Sequence, residues 1–447
     1  MNQTFFFYDL ETSGLRSRDD RLMQFAGQRT NFDLEPVEEP VNIFVKISDD
    51  ILPSPAAIGV TGITPQKTLE EGILEPEFCK KAVEEIFTPG TVALGYNTVR
   101  FDDEFMRATF WRNFYDPYEW EWKDGRSRWD MLDVVRMTRA LRPEGINWPF
   151  TDAGKPTNSL EYLTSANGLS HEHAHDALSD VYATIEVARL IKSKQPDLFK
   201  FLFDNRGKKE AMHLANLERP TPVVYVSGRY SNEFNKATVV VPIAPSRNGN
   251  VLVYDLRYNL EELLTQDETE EKTFYPIVKE LCYNKCPALA PLSVLTKKDG
   301  WKKLGLTPES VQKNLEILYK HPDFIERMRT KNEERPEFPP AEDPEQAIYD
   351  GFLNERDKVK VEAVRNADVN KLADFHPEFD DARLPELLLH YKGRNYPSTL
   401  SEHEMEQWEK YRHLKIQKQM AGYLEELEKV KDDFIKEELR LYLESLF

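Results

Sequence analysis

The first clear pattern in the chain is an apolar run that turns acidic, at residues 4–14. Three phenylalanines and a tyrosine in succession predict a buried strand, and Thr12-Ser13-Gly14 predicts its end. Residues two apart on a strand point to the same face, so Asp9 and Glu11 project side by side. Adjacent carboxylates repel, and burying one is costly unless it is paired or bound to a cation. The pair is therefore either a solvated strand end or part of an oxygen-rich site for Mg²⁺ or Mn²⁺.

The runs that follow predict a mixed sheet. Residues 22–30 and the alternating run 41–47 predict two strands, and their short turns indicate an antiparallel start to the sheet. Residues 75–87 predict a helix, and residues 91–96 predict another strand. Residues 53–65 are loop-like but apolar, so we expect them to pack on the sheet as a lid. The alternative is that this lid forms a wall of a binding site.

An acidic helix start follows the strand at 91–96. Asn97 or Thr98 is expected to cap a helix that begins near Phe101, which puts Asp102 in its first turn. Acidic residues are common in that turn because they suit the helix dipole. Since only a short loop separates Asp102 from a buried strand, Asp102 is also a candidate third carboxylate.

Residues 110–122 are dense in aromatic side chains, with Arg112 among them. Such stretches usually belong to a core. Single-stranded nucleic acids, however, are held by base stacking on aromatic rings and by cations along the backbone. Trp148 lies between turn-forming residues in the segment 143–149, which favours the binding interpretation there.

A histidine-rich segment, 171–180, leads into a helix with an apolar stripe at Leu178, Val181, Ile185, Ala188 and Ile191. Asp180 flanks the stripe, so we expect it at the rim of the core. His175 precedes it by about one turn and suits a general base, because the unperturbed pKa of histidine is about 6.5. Zinc binding by the histidines is disfavoured, because no thiolate or fourth ligand lies at a useful spacing.

The composition narrows the class of protein. A chain of 447 residues suggests two or three domains. A net charge of -19 argues against a generic basic nucleic-acid coat, although it leaves room for a local basic groove. Three cysteines are too few for a disulfide framework, so we expect a reducing cytoplasm. No apolar run reaches membrane-spanning length and the N-terminus lacks signal-peptide features, so we expect no membrane association.

Five residues in order along the chain carry a resemblance to a known group. The pattern consists of Asp9-x-Glu11, then Asp102, and then His175-x₄-Asp180. It resembles that of the DEDDh branch of the 3′→5′ exonucleases. Within that group the chain is similar to the bacterial exonuclease I family. The matching segments are 95–104, 112–118, 141–149, 284–287 and 394–397.

The resemblance implies an α/β fold in three parts. These are an RNase H-like mixed-sheet exonuclease domain, an SH3-like β-rich domain and an all-helical C-terminal domain. We expect them at residues 1–195, 196–342 and 343–447.

The later sequence agrees with this division. Three β-rich runs lie within 221–256, and a helical stretch at 307–329 has an expected break at Pro322. Residues 336–344 are Pro-rich and acidic, typical of a linker. Residues 401–447 are charged and amphipathic, and we expect a solvated helical hairpin there.

The resemblance also implies an activity. It is processive 3′→5′ hydrolysis of single-stranded DNA to 5′-mononucleotides, in DNA repair and recombination. Asp9, Glu11, Asp102 and Asp180 would hold two Mg²⁺ ions, with Mn²⁺ as a substitute, and His175 would be the general base. The family further implies a monomer that docks the acidic C-terminal tail of single-strand DNA-binding protein.

A set of further residues is implied to contact the DNA. They are Glu11, Arg107, Tyr118, Trp122, Arg136, Arg142 and Ser159. Ser159 departs from the family, which tends to carry a basic residue at this position, so a contact to the terminal nucleotide is weakened or supplied elsewhere.

Two other functions compete with this one. The first is a 3′→5′ exoribonuclease of the same superfamily, since the sequence does not show what would read a 2′-hydroxyl. The second is a non-catalytic single-strand binding protein, against which the intact acids and His175 argue.

Overall fold

The first part of the chain is built on a five-stranded mixed sheet. The computed structural model describes residues 3–171, 176–265 and 277–447. The strands are β1 Thr4–Thr12, β2 Leu22–Thr30, β3 Val41–Phe44, β4 Thr91–Gly95 and β5 Ser127–Asp130. Their order is β3-β2-β1-β4-β5, with β1 antiparallel to β2 and parallel to β4. The expected mixed sheet with an antiparallel start is confirmed.

Helices surround this sheet. They are α1 Pro55–Thr61, α2 Pro65–Glu71, α3 Glu75–Lys81, α4 Asp102–Arg112, α5 Glu119–Trp122, α6 Met131–Leu141, α7 Leu160–Ala166, α8 Ala177–Lys194 and α9 Pro196–Asp204. The next helix, α10 Lys208–Leu214, packs instead with residues of the second part of the chain. The helix predicted at 75–87 is confirmed, since α3 continues into a wider π-helical turn at Ala82–Ile86. The apolar stripe of α8 is buried except at Leu178, which is half-buried.

The central strand β1 is buried on both faces, because alternate side chains enter different cores. Phe5 and Phe7 pack in one core with Val181 of α8. Phe6 and Tyr8 pack in another, which includes residues of α3 and α4. The acidic end of β1 therefore lies between the layer of α4 and the layer of α8.

The expectation of a loop at 53–65 is wrong, because the segment forms α1 and the start of α2. Ser54 caps α1 ahead of a proline at its first position, and Gly62 ends it with a φ of 68°. Thr64 caps α2 in the same way. These cap residues, with proline just inside each helix, predict helix starts. The apolar residues between them pack against helices at the other end of the chain.

The expected cap of α4 is also wrong. Residues Thr98–Arg100 form a short 3₁₀ turn, and no side chain caps the helix at Phe101. Asn97 instead has a left-handed φ of 73°, and its N–H donates to Asp130 Oδ1 at 3.0 Å. The turn into α4 is therefore held by Asp130, the last residue of β5, rather than by a side-chain cap. Asp102 still lies in the first turn, as predicted.

The second part contains a five-stranded antiparallel sheet. Its strands are β6 Val223–Val226, β7 Ala237–Pro245, β8 Val251–Asp255, β9 Val278–Leu281 and β10 Leu289–Pro291, in the order β10-β6-β7-β8-β9. Its helices are α11 Leu260–Thr265, α12 Gly300–Lys303, α13 Pro308–Tyr319 and α14 Pro322–Glu333. The three β-rich runs and the break at Pro322 are confirmed.

The third part is helical, with α15 Glu355–Arg365, α16 Leu384–Asn395, α17 Glu402–Leu427 and α18 Asp433–Ser445. The hairpin of α17 and α18 was expected to be solvated because of its charge, but one face of it is buried. Ile416, Leu439 and Tyr442 are buried against Ile51 and Ile58 of the first part. The apolar side chains of α17 and α18 therefore bury one face of the hairpin against the first part. Across the described ranges, no helix has the length and apolar character needed to span a membrane.

Candidate functional site

Three carboxylates converge at the acidic end of β1. Asp9 and Glu11 come from the strand, and Asp180 comes from the first turn of α8. Each offers an oxygen, and these oxygens lie within 4.8 Å of one another. The sequence pattern therefore predicted three residues that the fold brings together.

Burial raises the pKa values of Asp9 and Glu11 in this cluster. Burial and the charges of Asp102 and Asp180 raise the pKa of Asp9 well above its ordinary value. Burial, followed by the charge of Asp9, raises the pKa of Glu11 to about 9. Carboxylates placed this way repel one another and need a counter-charge, which a divalent cation supplies. The oxygen-only donor set fits Mg²⁺ or Mn²⁺.

Asp102 lies beside the cluster. It is 3% exposed, and its Oδ1 accepts a hydrogen bond from the Leu10 N–H at 3.1 Å. Burial, and then the charge of Asp103, raise its pKa well above the ordinary value. It is not among the three residues whose oxygens converge within the described residues. Its role as a fourth ligand stays a prediction.

The neighbouring Asp103 anchors the start of α4, which the sequence did not reveal. It accepts a hydrogen bond from the Tyr8 hydroxyl and forms a buried ion pair with Arg128. Arg128 also contacts Glu121 at 3.0 Å and donates to the Asn284 carbonyl at 2.8 Å. Asp102 and Asp103 are adjacent acidic residues in the sequence. The fold distinguishes them, because Asp103 pairs with Tyr8 and Arg128 whereas Asp102 lies beside the acidic cluster.

The start of α8 is held by polar contacts. Asp176 caps the helix and accepts from the Ser179 N–H at 3.1 Å. The Gln24 amide, on the strand residue opposite Glu11, donates to Asn42 at 2.9 Å and to Asp176 at 3.5 Å. His175, the expected general base, lies outside the described residues.

His171 reaches the cluster, although only His175 was predicted to act there. Its Nε2 lies 2.5 Å from Asp180 Oδ1. Its Nδ1 lies 3.2 Å from the Thr164 hydroxyl on α7. Of the histidines at 171, 173 and 175, His171 lies within the described residues, and its contact with Asp180 joins positions nine apart.

The three arginines expected along the DNA path are held by protein groups. Arg107 contacts Glu121 at 2.5 Å and Glu104 at 2.9 Å. Arg136 contacts Asp133 at 2.7 Å. Arg142 donates to the carbonyl of Val294, in the second part, at 2.8 Å.

The aromatic stretch 110–122 divides between core and surface. Phe110, Trp111, Phe114 and Trp120 are buried, whereas Trp122 is 64% exposed. Tyr118 is half-buried, and its ring meets that of Phe352 edge-on at a centroid distance of 5.9 Å. Phe352 is 87% exposed and was missed, because a lone phenylalanine after a linker carries no pattern.

Ser159 stands directly before α7 and is exposed. Its hydroxyl does not cap the helix. The side chain is therefore available to solvent, and its contact with DNA stays a prediction.

Comparison with known proteins decides the family. Family models match three successive segments, described as Exonuclease over residues 6–188, Exonuclease I SH3-like domain over 206–333 and Exonuclease I C-terminal domain over 342–447. Exodeoxyribonuclease I of Haemophilus influenzae is 40% identical over 443 residues, covering 96% of this chain and 93% of the relative. The chain belongs to the exonuclease I family.

Other members of the exonuclease I family give the same result. Exodeoxyribonuclease I of Escherichia coli is 39% identical over 95% of this chain and 92% of its own length. The structure of E. coli exonuclease I with a dA16 oligonucleotide matches with a TM-score of 0.93 at 36% identity, covering all of both chains. Exonuclease I of Methylocaldum szegediense matches with a TM-score of 0.89 at 39% identity, covering 99% of each chain.

These findings confirm the predicted fold class. An RNase H-like exonuclease domain is followed by an SH3-like domain and a helical C-terminal domain. They also confirm that the protein is an enzyme, an exodeoxyribonuclease.

Proposed function

We propose that the protein hydrolyses single-stranded DNA processively from its 3′ end to 5′-mononucleotides, in DNA repair and recombination. The observation that carries the proposal is the convergence of Asp9, Glu11 and Asp180, whose oxygens lie within 4.8 Å of one another. E. coli exonuclease I has been solved with the oligonucleotides dA16 and 5cy-dT13 and in a complex with ssDNA. That supports a strand, rather than a small molecule, as the substrate.

The acidic cluster would hold the metal ions. Asp9, Glu11 and Asp180, with Asp102 as the fourth carboxylate, would bind two Mg²⁺ ions, or Mn²⁺ in their place. When bound, such ions activate the attacking water and stabilise the leaving 3′ oxygen. The zinc-bound form of an E. coli exonuclease I–DNA complex supports divalent metal binding in the family.

His175 would take the proton from the attacking water. It directly precedes Asp176, whose side chain caps α8 and so fixes where the chain enters the helix. Asp180 lies on the first turn of the same helix. The proposed metal ligand Asp180 is therefore held on a capped helix.

The strand would pass over aromatic and cationic side chains. Tyr118, paired with the exposed Phe352, offers a surface for base stacking, to which Trp122 adds a second ring. Arg107, Arg136, Arg142 and Ser159 remain proposed contacts. Each of the three arginines is already anchored by a protein acceptor, which would fix its position along the path.

The test is hydrolysis of 3′-labelled and 5′-labelled single-stranded DNA with Mg²⁺ or with chelator. We expect metal-dependent release of mononucleotides from the 3′ end only. Asp9→Asn and Asp180→Asn should each lose more than the roughly 100-fold typical of outer-shell residues, while still binding the strand. Asp197→Asn, the same change on the exposed first turn of α9, is the matched control and should keep full activity.

Three results would contradict the proposal. Near-normal turnover in Asp9→Asn would remove the metal role of the cluster. Faster cutting of RNA than of DNA would make the protein an exoribonuclease. Tight binding of DNA without cleavage under any metal would make it a binding protein.

Further parts of the proposal concern partners and organisation. A solved structure of SSB/exonuclease I with an inhibitor, 36% identical to this chain, supports docking of the acidic tail of single-strand DNA-binding protein. Fluorescence anisotropy with that tail peptide tests it, and no binding would remove this partner. We also propose a cytoplasmic monomer, in line with its free cysteines, with domain boundaries after residues 195 and 342.

A further inference from the structure

His171 connects two helices at the acidic cluster. Its Nε2 lies 2.5 Å from Asp180 Oδ1 on α8, and its Nδ1 lies 3.2 Å from Thr164 Oγ1 on α7. The His171 side chain is 6% exposed. The imidazole ring is therefore held between the two helices, against one of the three converging carboxylates.

The Thr164 hydroxyl determines how the His171 ring is oriented. It lies 3.0 Å from the Leu160 carbonyl and 2.9 Å from the Glu161 carbonyl, both on α7. Carbonyls only accept, so the hydroxyl hydrogen is directed to the helix backbone and Oγ1 accepts from His171 Nδ1. Nε2 is left facing the Asp180 carboxylate, to which an N–H at that position donates.

We propose that His171 is a positioning residue that fixes the Asp180 carboxylate for metal binding. This role rests on the proposed function, in which Asp180 is a metal ligand. A carboxylate has two oxygens, so Asp180 can contact His171 and a metal ion together. Loss of an outer-shell partner of this kind typically lowers metal affinity by about 10–100-fold. His171 would thus differ from His175, which is proposed to act on water.

Two substitutions of similar size separate the two contacts of the ring. In His171→Gln the side-chain amide reaches the place of Nε2 and can still donate to Asp180. In His171→Asn the amide reaches only the place of Nδ1, so the contact with Asp180 is lost. Mn²⁺ affinity is measured by calorimetry on the chelated, DNA-free protein. We expect His171→Asn to bind Mn²⁺ about 10-fold or more weakly, and His171→Gln to stay closer to the wild-type affinity.

A second readout separates positioning from catalysis. Hydrolysis by His171→Asn should recover as Mn²⁺ is raised to saturation, whereas His175→Ala should bind Mn²⁺ normally and stay slow at every concentration. Thr164→Val, which removes the acceptor for Nδ1 and keeps the side-chain shape, should weaken Mn²⁺ binding in the same direction. Thermal unfolding of the chelated proteins shows whether each variant is folded.

The outcomes distinguish this role from the proposed function. Wild-type affinity in His171→Asn, or equal losses in the Asn and Gln variants, would overturn the positioning role alone. Wild-type protein that binds no Mn²⁺, or unchanged binding in Asp180→Asn, would overturn the metal site and this role with it. Weak binding in His171→Asn that is restored in His171→Gln supports it.

Discussion

Glu11 illustrates, at the scale of a single residue, how burial changes the ionisation of a carboxyl group. Its pKa is raised from 4.5 to about 9, first by burial and then by the charges of Asp9 and Asp180. The unfolded chain therefore ionises this group at a lower pH than the folded chain does. Between these two values the folded state holds a proton that the unfolded state has lost. The free energy of unfolding of the metal-free protein must fall as pH rises through that window.

This predicts a pH-dependent melting temperature for the chelated protein. The melting temperature should fall as pH rises from about 4.5 to 9, the interval set by the two pKa values of Glu11. In Glu11→Gln the fall should be shallower, because the amide does not ionise. Added Mn²⁺ should raise the melting temperature of the wild type most at the alkaline end, since metal binding to carboxylates competes with protons. Differential scanning calorimetry across this range measures all three.

Glu309→Gln is the control for this measurement, since Glu309 is an exposed residue in the first turn of α13. It should keep the wild-type pH dependence. A Glu11→Gln variant whose melting temperature falls as steeply as that of the wild type would show that the buried cluster does not retain its protons.

The residues of the site differ in how far the sequence could predict them. Asp9 and Glu11 follow from the two-residue period of a strand, and Asp180 follows from its place beside an apolar stripe. His171 could not be predicted as the contact of Asp180. It lies between α7 and α8, nine positions before Asp180, and no helix or strand period relates the two residues.

At the scale of elements, the start of α8 holds both the helix cap and a residue of the acidic cluster. Asp176 caps this helix through the Ser179 N–H at 3.1 Å, and Asp180 stands one turn later. The cap of α18 is the same residue type with the same role, since Asp432 accepts from the N–H groups of Phe434 and Ile435. The two helices thus offer a matched pair, one inside the site and one remote from it.

Replacing each cap by alanine should weaken both helices alike. Asp176→Ala and Asp432→Ala should each cost about 1 kcal/mol of local stability, the usual loss for an N-cap aspartate. Hydrogen exchange of the first turns of α8 and α18 measures this. Only Asp176→Ala should lower the rate of hydrolysis, because α8 positions Asp180. Equal activity in the two variants would mean that the position of Asp180 does not depend on the cap.

Elements with a clear period were predictable, whereas short capped helices were not. The strands β1 and β2 and the helix α8 extend over enough residues to show their periods. The helices α1 and α2 have 7 residues each, which is too short for an apolar stripe to emerge. Their evidence lies in the cap residues Ser54 and Thr64, each followed by a proline. The glycines and prolines of the same segment favour a loop, so a loop was predicted instead of two helices.

At the scale of the whole molecule, a buried ion cluster joins the first part to the third. Arg21 contacts Asp50 at 2.7 Å and Glu345 at 2.8 Å. Lys415 on α17 contacts the same two acids at 2.5 and 3.2 Å, and Arg394 on α16 pairs with Glu345. Glu345 therefore contacts cations from both parts. It follows directly on the segment that was predicted to be a linker.

The sequence could not indicate this cluster. Arg21 and Glu345 are separated by 324 positions, and each is one of many charged residues in a chain that is 31% charged. Composition favours a solvated position for any such residue. Burial becomes possible only because the folded parts bring opposite charges together. Pairing between distant elements is decided by the fold, so the family resemblance indicated the three parts but no local pattern indicated the contacts that join them.

Removing Glu345 tests how the parts hold together. Glu345→Gln leaves Arg21, Lys415 and Arg394 with one buried acid, Asp50, in place of two, and an unpaired buried charge typically costs about 3–5 kcal/mol. We expect a lower melting temperature and faster proteolysis within 336–344, because α16 and α17 would dock less firmly. Hydrolysis of a short oligonucleotide should change little, since the acidic cluster is untouched, while long strands should be released earlier. Lys429→Ala, which breaks an exposed pair with Glu425, should change none of these properties. If Glu345→Gln behaved like Lys429→Ala, the buried cluster would not be what holds the helical domain to the nuclease domain, and the apolar contacts of α17 and α18 would suffice.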